Sequence, residues 1–220
     1  MNESYLHSAI KEWYSLPRDI FEVKIGHYVA DIVRGDLIVE IQTMNFSAIR
    51  KKLEYLVQKH KVRLVYPIAE RKCIVHIDKS GEVVSRRKSP GKGKLTDLFR
   101  ELIRVPELIK EVNFSLEVLL IDEEEIRIDD GGGSWRRRGA SIKDRTLIGV
   151  NTRILFENSI DFLKLLPEEL HETFTNKELA SSKKISIRTA QQITYCFRRS
   201  GMIRVIEKRG KELVFQKTRS

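Results

Sequence analysis

Three side chains close together in the sequence could share one piece of chemistry. In Tyr28-Val29-Ala30-Asp31-Ile32-Val33-Arg34-Gly35-Asp36-Leu37-Ile38-Val39-Glu40-Ile41-Gln42 apolar residues alternate on either side of Arg34-Gly35, as two strands joined by a tight turn require. With Arg34-Gly35 as the loop, Val33 faces Asp36 and Asp31 faces Ile38. Glu40 is then the diagonal neighbour of Asp31 on one sheet face, and Gln42 follows two residues on. Two carboxylates about 7 Å apart in an apolar strand pair are costly unless paired or bound to a cation. An oxygen-seeking divalent ion such as Mg²⁺ (or Mn²⁺) would remove that cost. The structural alternative is pairing with Arg34 or Lys24, or projection into solvent from an edge hairpin.

The elements that would position these groups are legible around them. Leu6, Ile10, Trp13 and Tyr14 recur at helical spacing from Ser4 to Leu16, before Pro17 interrupts. Phe21 to Ile25, Tyr28 to Val33, Leu37 to Thr43, Val62 to Ile68 and Cys73 to Ile77 are short β-rich runs. Between the third and fourth, Ser47 to Lys59 has Ile49, Leu53 and Leu56 on one helical stripe, and Lys52 shares the side facing the sheet. This order predicts an α/β fold with a mixed sheet. Arg86 to Lys94 is basic and turn-rich, and is expected to be a mobile loop whose Arg87, Lys88 and Lys92 meet phosphates. Leu95 to Arg104 is read as a helix and Leu116 to Ile121 as a strand. Asp129 to Ser134 is a flexible break, followed by Trp135-Arg136-Arg137-Arg138, where Arg136 could lie along a nucleic-acid backbone. The expected organisation is an α/β domain over 1–128, a Gly/Arg-rich connector over 129–153 and a small basic domain over 154–220.

Charge points to a polyanionic partner. The chain of 220 residues carries a net +10, and from Lys183 to Ser220 eleven Lys or Arg oppose Glu207 and Glu212, leaving +9 there. Apolar residues at 41% and charged residues at 33% exclude a wholly disordered chain. No window approaches the roughly 18 apolar residues a membrane span needs, and Met1-Asn2-Glu3-Ser4 lacks a basic leader, so a cytoplasmic protein with no membrane partner is expected. Cys73 and Cys196 are expected to be reduced core residues. His7, His27, His60, His76 and His171 lack zinc-ligand spacing, and Gly131 to Gly133 do not precede a Lys-Ser pair, so neither zinc nor a phosphate-binding ATP loop is expected.

In the basic C-terminal third, Thr175-Asn176-Lys177-Glu178 has the form of a capping box opening a helix through Ser181. Ser186 can cap a second helix ending near Gly201, with Ala190, Ile193 and Phe197 inside. Its outer face offers Arg188, Gln191, Gln192, Tyr195, Arg198 and Arg199, an inventory suited to base edges and phosphates of a DNA major groove. Ile203 to Ile206 and Leu213 to Gln216 alternate as strands around a charged hairpin with Lys208 and Arg209. With a preceding helix at Ser159 to Leu166, this pattern resembles the winged-helix family, which implies DNA binding or protein contact.

The acidic motif resembles the restriction-endonuclease-like superfamily, PD-(D/E)xK, in which an Asp ends one strand and Glu-x-Lys lies on the next. Asp31 matches the Asp, Glu40 the acid, and Gln42 takes the place of the Lys. In the Holliday-junction-resolvase-like branch the first helix supplies a Glu, for which Glu3 is the candidate and Glu12 the weaker one. The whole chain is also similar to a group of bacterial proteins. The resemblance implies that Asp31, Glu40 and the Ile41 carbonyl hold Mg²⁺, which activates water for attack on a phosphodiester. Gln42 carries no charge, and Lys52 is the best substitute for the missing Lys. The implied activity is a metal-dependent DNA endonuclease, docking on DNA through the winged helix and in some relatives acting as a homodimer. The competing readings are a noncatalytic DNA-binding regulator and an accessory subunit of a larger DNA-processing complex.

Overall fold

The computed structural model describes residues 4–137 and 139–218. The first helix, α1 (Tyr5–Tyr14), starts at Ser4, whose hydroxyl accepts from the His7 amide, and buries Leu6, Ile10 and Tyr14 at four-residue spacing. An antiparallel meander follows: β1 (Ile20–Ile25), β2 (Tyr28–Arg34) and β3 (Leu37–Ile41). Helix α2 (Phe46–Leu56) then leads into β4 (Lys61–Ile77), which runs parallel to β3. After β5 (Val83–Lys88) and the short α3 (Phe99–Leu102), β6 (Phe114–Ile128) runs parallel to β4, and β7 (Ser141–Phe156) closes the sheet antiparallel to β6. The path is β1-β2-β3-β4-β6-β7, with β5 paired to the outer half of β4. The α/β reading with a mixed sheet therefore holds.

Helix α1 covers one face of the sheet, packing with Ile32, Val39, Ile41 and Val65. The other face carries the larger core, with Phe46, Leu53 and Leu56 of α2 against Ile38, Leu64 and Val118. Three strands are unusually long, at 17, 15 and 16 residues for β4, β6 and β7, against a usual five or six. Their outer halves run past the helices as a charged extension. There Arg71 pairs with Asp122, Arg86 with Glu124, and Lys72 with both Glu123 and Glu125.

Several expectations need correction. Val62 to Ile68 and Cys73 to Ile77 belong to one strand, because a bulge at Ala69/Arg71 lets the chain continue alongside β6. The segment read as a mobile loop is strand β5 as far as Lys88. Beyond it, the Ser89 and Gly93 amides donate to the Lys72 and Ala69 carbonyls. The stretch expected to be a connector contains most of β7. The hairpin loop is Gly35-Asp36, with Arg34 opposite Leu37 and Val33 opposite Ile38. Gly35 (φ +59°) supplies the positive φ that the first loop position of a type II′-like turn needs.

The C-terminal segment contains α4 (Ser159–Leu163), β8 (Thr173–Thr175), α5 (Asn176–Lys183), α6 (Ile187–Arg199), β9 (Ile203–Arg209) and β10 (Glu212–Lys217). Its three strands form an antiparallel sheet in the order β8-β10-β9. Thr175 and Glu178 cap α5 reciprocally, and Ser186 caps α6. This segment is fused to the rest of the fold. Phe197 of α6 is fully buried edge-on against Phe99, 5.6 Å between centroids, and Arg199 pairs with Glu107.

Phe197→Ala is therefore expected to cost about 3–5 kcal/mol by equilibrium denaturation. A loss below about 1 kcal/mol would contradict a shared core.

Candidate active site

Strands β2 and β3 bring Asp31 and Glu40 together. Continuing the observed register by one pair sets them directly opposite, closer than the diagonal placement expected. The Asp31 carboxylate accepts from His7 Nε2 at 3.2 Å and from the Ile41 amide at 2.7 Å, both through Oδ2. Burial opposes ionisation of Asp31, but these hydrogen bonds outweigh it and hold the carboxyl below its ordinary range.

Glu40 has a different environment. It is only 2% exposed, and its Oε1 has no hydrogen-bond partner among the described residues. Burial first, and the neighbouring Asp31 charge second, push its pKa up to about 8, against the counter-pull of Lys52. Lys52 reaches across from α2 to pair with Glu40 Oε2, and its ammonium also donates to the Val29 carbonyl at 2.6 Å. The α2 start that sets this reach has a left-handed Asn45 and no side-chain cap of its own. The Glu101 carboxylate instead accepts from the Phe46 amide at 2.9 Å.

The strand next door is strained at the same level. Phe21 pairs with Ile32 and Val23 with Ala30, so Glu22 lies opposite Asp31, and Glu22 has φ +52°. A non-glycine residue held there costs roughly 1–3 kcal/mol, and such strain concentrates at functional sites. Lys11, one helical turn after His7, pairs with Glu22 at 2.5 Å.

Of the residues singled out by sequence, Asp31, Glu40, Lys52 and the Ile41 backbone converge, although Ile41 contributes its amide to Asp31. Gln42 turns away: its side-chain amide donates to the Met44 and Asn45 carbonyls and braces the turn into α2. Arg34 is bound to Asp19 and the Tyr14 carbonyl, so it does not seal the acidic pair. Glu12 is exposed, and Glu3 lies outside the described residues. Sequence reasoning missed His7, having tested histidines only for zinc spacing. Its position three residues before Ile10 and seven before Tyr14, at the edge of the buried stripe, was the available signal.

The basic candidates are dispersed. Arg87 and Lys88 are exposed on β5, opposite Ile74 and Cys73, and Lys92 follows in the pinned segment. The side chain of Arg136 is outside the described residues. On α6, Arg188, Gln191, Tyr195 and Arg198 are exposed and Gln192 is half-buried. Gln191 shares a hollow of about 410 Å³ with Lys211 of the β9–β10 hairpin. Lys208 and Arg209 lie on that hairpin, where Arg209 pairs with Glu207. Arg199 is held by Glu107, which removes it from the free face. Cys196 is buried and Cys73 half-buried, both as free thiols.

These features define an α/β protein with a buried acidic pair beneath a lysine and a basic helical segment at its C-terminal end. Residues 4–157 match the family described as "Domain of unknown function (DUF8091)", and the chain belongs to that family. The match ends where β7 ends, just before the C-terminal segment. The chain is also similar to an "Uncharacterized protein" of Treponema pallidum (strain Nichols), 31% identical over 217 residues, covering 98% of this chain and 85% of the relative. No solved structure matches it. No helix among the described residues is long and apolar enough to cross a membrane.

The raised Glu40 pKa has a definite sign in stability. Between the ordinary value of 4.5 and about 8, the folded chain binds more protons at this group than the unfolded chain, so stability falls as pH rises through that window. Glu40→Gln is expected to gain stability relative to the wild type progressively from pH 5 to pH 9, by up to a few kcal/mol, seen as a growing difference in melting temperature. A pH-independent difference in melting temperature would count against this environment.

Proposed function

We propose that the chain is a Mg²⁺-dependent DNA endonuclease with a restriction-endonuclease-like core and a C-terminal winged helix. The observation that carries this reading is the convergence of Asp31, Glu40 and Lys52, with one buried Glu40 oxygen left without a hydrogen-bond partner among the described residues. The order of elements supports it: a helix, a three-stranded meander carrying both acids, a helix carrying the lysine and a strand parallel to the meander's last. A helix, a strand, two further helices and a hairpin in one small antiparallel sheet likewise support the winged helix.

The donor set suits a hard cation. Among the described residues no group of three or more His, Cys, Asp or Glu gathers to hold a metal, and Mg²⁺ typically takes only one or two carboxylates, completing its shell with water and substrate phosphate. Asp31, kept ionised, and the unpartnered oxygen of Glu40 would hold it. When bound, the ion would supply Lewis-acid stabilisation and lower the pKa of water. The rest falls to the chain itself. His7 and the Ile41 amide fix the Asp31 carboxylate, while the Val29 carbonyl steers the Lys52 ammonium. Lys52 would offset charge on the phosphate as the phosphodiester is attacked, the part the resemblance gave to a lysine two residues after Glu40.

One observation favours a noncatalytic DNA-binding protein instead: Lys52 already neutralises one oxygen of Glu40, so the pair can persist as a structural bridge.

Cleavage of plasmid, branched and single-stranded DNA with Mg²⁺ or Mn²⁺ separates the two readings. Asp31→Asn and Glu40→Gln are expected to lower the rate about a thousand-fold, roughly 4 kcal/mol of barrier, and Lys52→Gln about a hundred-fold. Gln42→Ala should stay within roughly threefold. Absence of metal-dependent cutting by the wild type, with DNA still bound, would establish the noncatalytic alternative. For the winged helix, Arg198→Ala and Lys208→Ala should each weaken duplex binding and lower its salt slope by about 1. Unchanged binding in both would remove that assignment.

A further inference from the structure

A cavity of about 530 Å³ opens where the charged extension meets the body of the sheet. Five cationic side chains line it: Lys72 of β4, Lys92 of the segment after β5, Arg100 of α3, Arg127 of β6 and Arg145 of β7. Asp97 and Glu123 line it as well, and Glu125 stands behind. The acids are ion-paired, Glu123 and Glu125 with Lys72 at 2.7 and 2.8 Å, Glu125 also with Arg127 at 2.6 Å and Arg145 at 3.7 Å, and Asp97 with Arg100 at 2.9 Å, although Glu123 Oε1 has no hydrogen-bond partner among the described residues. Five cations against three acids leave a surplus of two, and Lys92 has no ion-pair partner among the described residues. The cavity thus has unspent positive charge in a concave setting, where a phosphate meets several cations at once.

Two features make it a built site. The backbone around Lys92 is anchored, because the Ser89 and Gly93 amides on either side of it are tied to β4. Gly93 lies so close that a Cβ there would be 2.5 Å from the Ala69 carbonyl oxygen, an approach only glycine allows. The lining also includes Leu6 of α1 and Thr43, just after β3.

We propose that this cavity is a phosphodiester-binding subsite that seats one strand of DNA. Its volume is that of a small-ligand pocket, room for a nucleotide or two of a single strand. Together with the α6 and hairpin surface, it points to a substrate class, duplex DNA carrying a single-stranded end. The inference rests on the reading of the acidic pair as a nucleic-acid site only for the identity of its ligand.

The test is binding, read by fluorescence anisotropy with the full chain in EDTA, so that no cleavage enters. The probes are an oligothymidylate, a blunt hairpin duplex and the same hairpin with a single-stranded tail. Lys92 and Arg100 are both exposed, so Lys92→Ala/Arg100→Ala should fold, as circular dichroism would verify. The double variant is expected to lose at least about tenfold in affinity for the oligothymidylate and the tailed hairpin. Its single-strand salt slope should fall by about 1.4, and its blunt-hairpin affinity should change less than about twofold. Unchanged single-strand binding, or an equal loss for the blunt hairpin, would overturn the proposal. Thymidine monophosphate competing as well per phosphate as the strand would also overturn it, by making the cavity a nucleotide site. Metal-dependent cleavage is a separate measurement: its absence would defeat the nuclease reading and leave this binding result standing.

Discussion

Burial of the Glu40 carboxyl between β2, β3 and α2 constrains the arrangement around it. An isolated carboxylate in that position would be strongly disfavoured, and a single lysine partner leaves one oxygen unserved. The surrounding structure answers this cost in parts. Helix α2 must start where it does for Lys52 to reach, which explains why Glu101, from another element, caps its first amide. Asp31 must remain ionised beside a group that resists ionisation, which explains why it takes one hydrogen bond from α1 and another from the adjacent strand. The result is two carboxyls with opposed proton affinities in one site. Such splitting recurs at acid–base sites and also arises in structural ion-pair networks.

The charged extension solves a different problem. Asp122-Glu123-Glu124-Glu125 would repel one another on a solvent-facing strand, yet β6 runs between two strands that supply cations. Alternation along β6 sends Glu123 and Glu125 to one side, toward Lys72, and Asp122 and Glu124 to the other, toward Arg71 and Arg86. The acids thus fix cationic side chains in place, and the surplus cations face the cavity. The exposed Arg71–Asp122 and Arg86–Glu124 pairs contribute little to stability; the buried Glu123 and Glu125 depend on their cations, which they hold in defined positions.

What was readable in the sequence follows from how local each signal is. Asp31 and Glu40 stood out because a two-residue alternation surrounds them. The hairpin register was misplaced by two residues without changing which face they share, since only a one-residue slip flips a strand. Lys52 was readable from the stripe of α2, and the caps of α5 and α6 from their own four-residue patterns. His7 was not, because a lone histidine acquires meaning only from a strand 24 residues away. The strand character of Ser141 to Val150 was hidden by charges and by Gly149, which suit an edge strand but resemble a linker. The cavity was least visible of all, since its cations come from five separate segments joined only by sheet order.

The C-terminal segment is not tethered to the rest of the fold but packed against it. Helix α6 uses its buried side twice, for its own small sheet and, through Phe197, for the core beneath α3. Arg199 is committed to Glu107, and that carboxylate in turn influences Arg50 on α2, two residues before Lys52. The exposed side that remains, Arg188, Gln191 and Arg198, is thereby held at a fixed angle to the helix that carries the lysine of the acidic site. The relation between these two surfaces is therefore set by the packing of Phe197 against Phe99 and by the Arg199–Glu107 pair, and not by a linker.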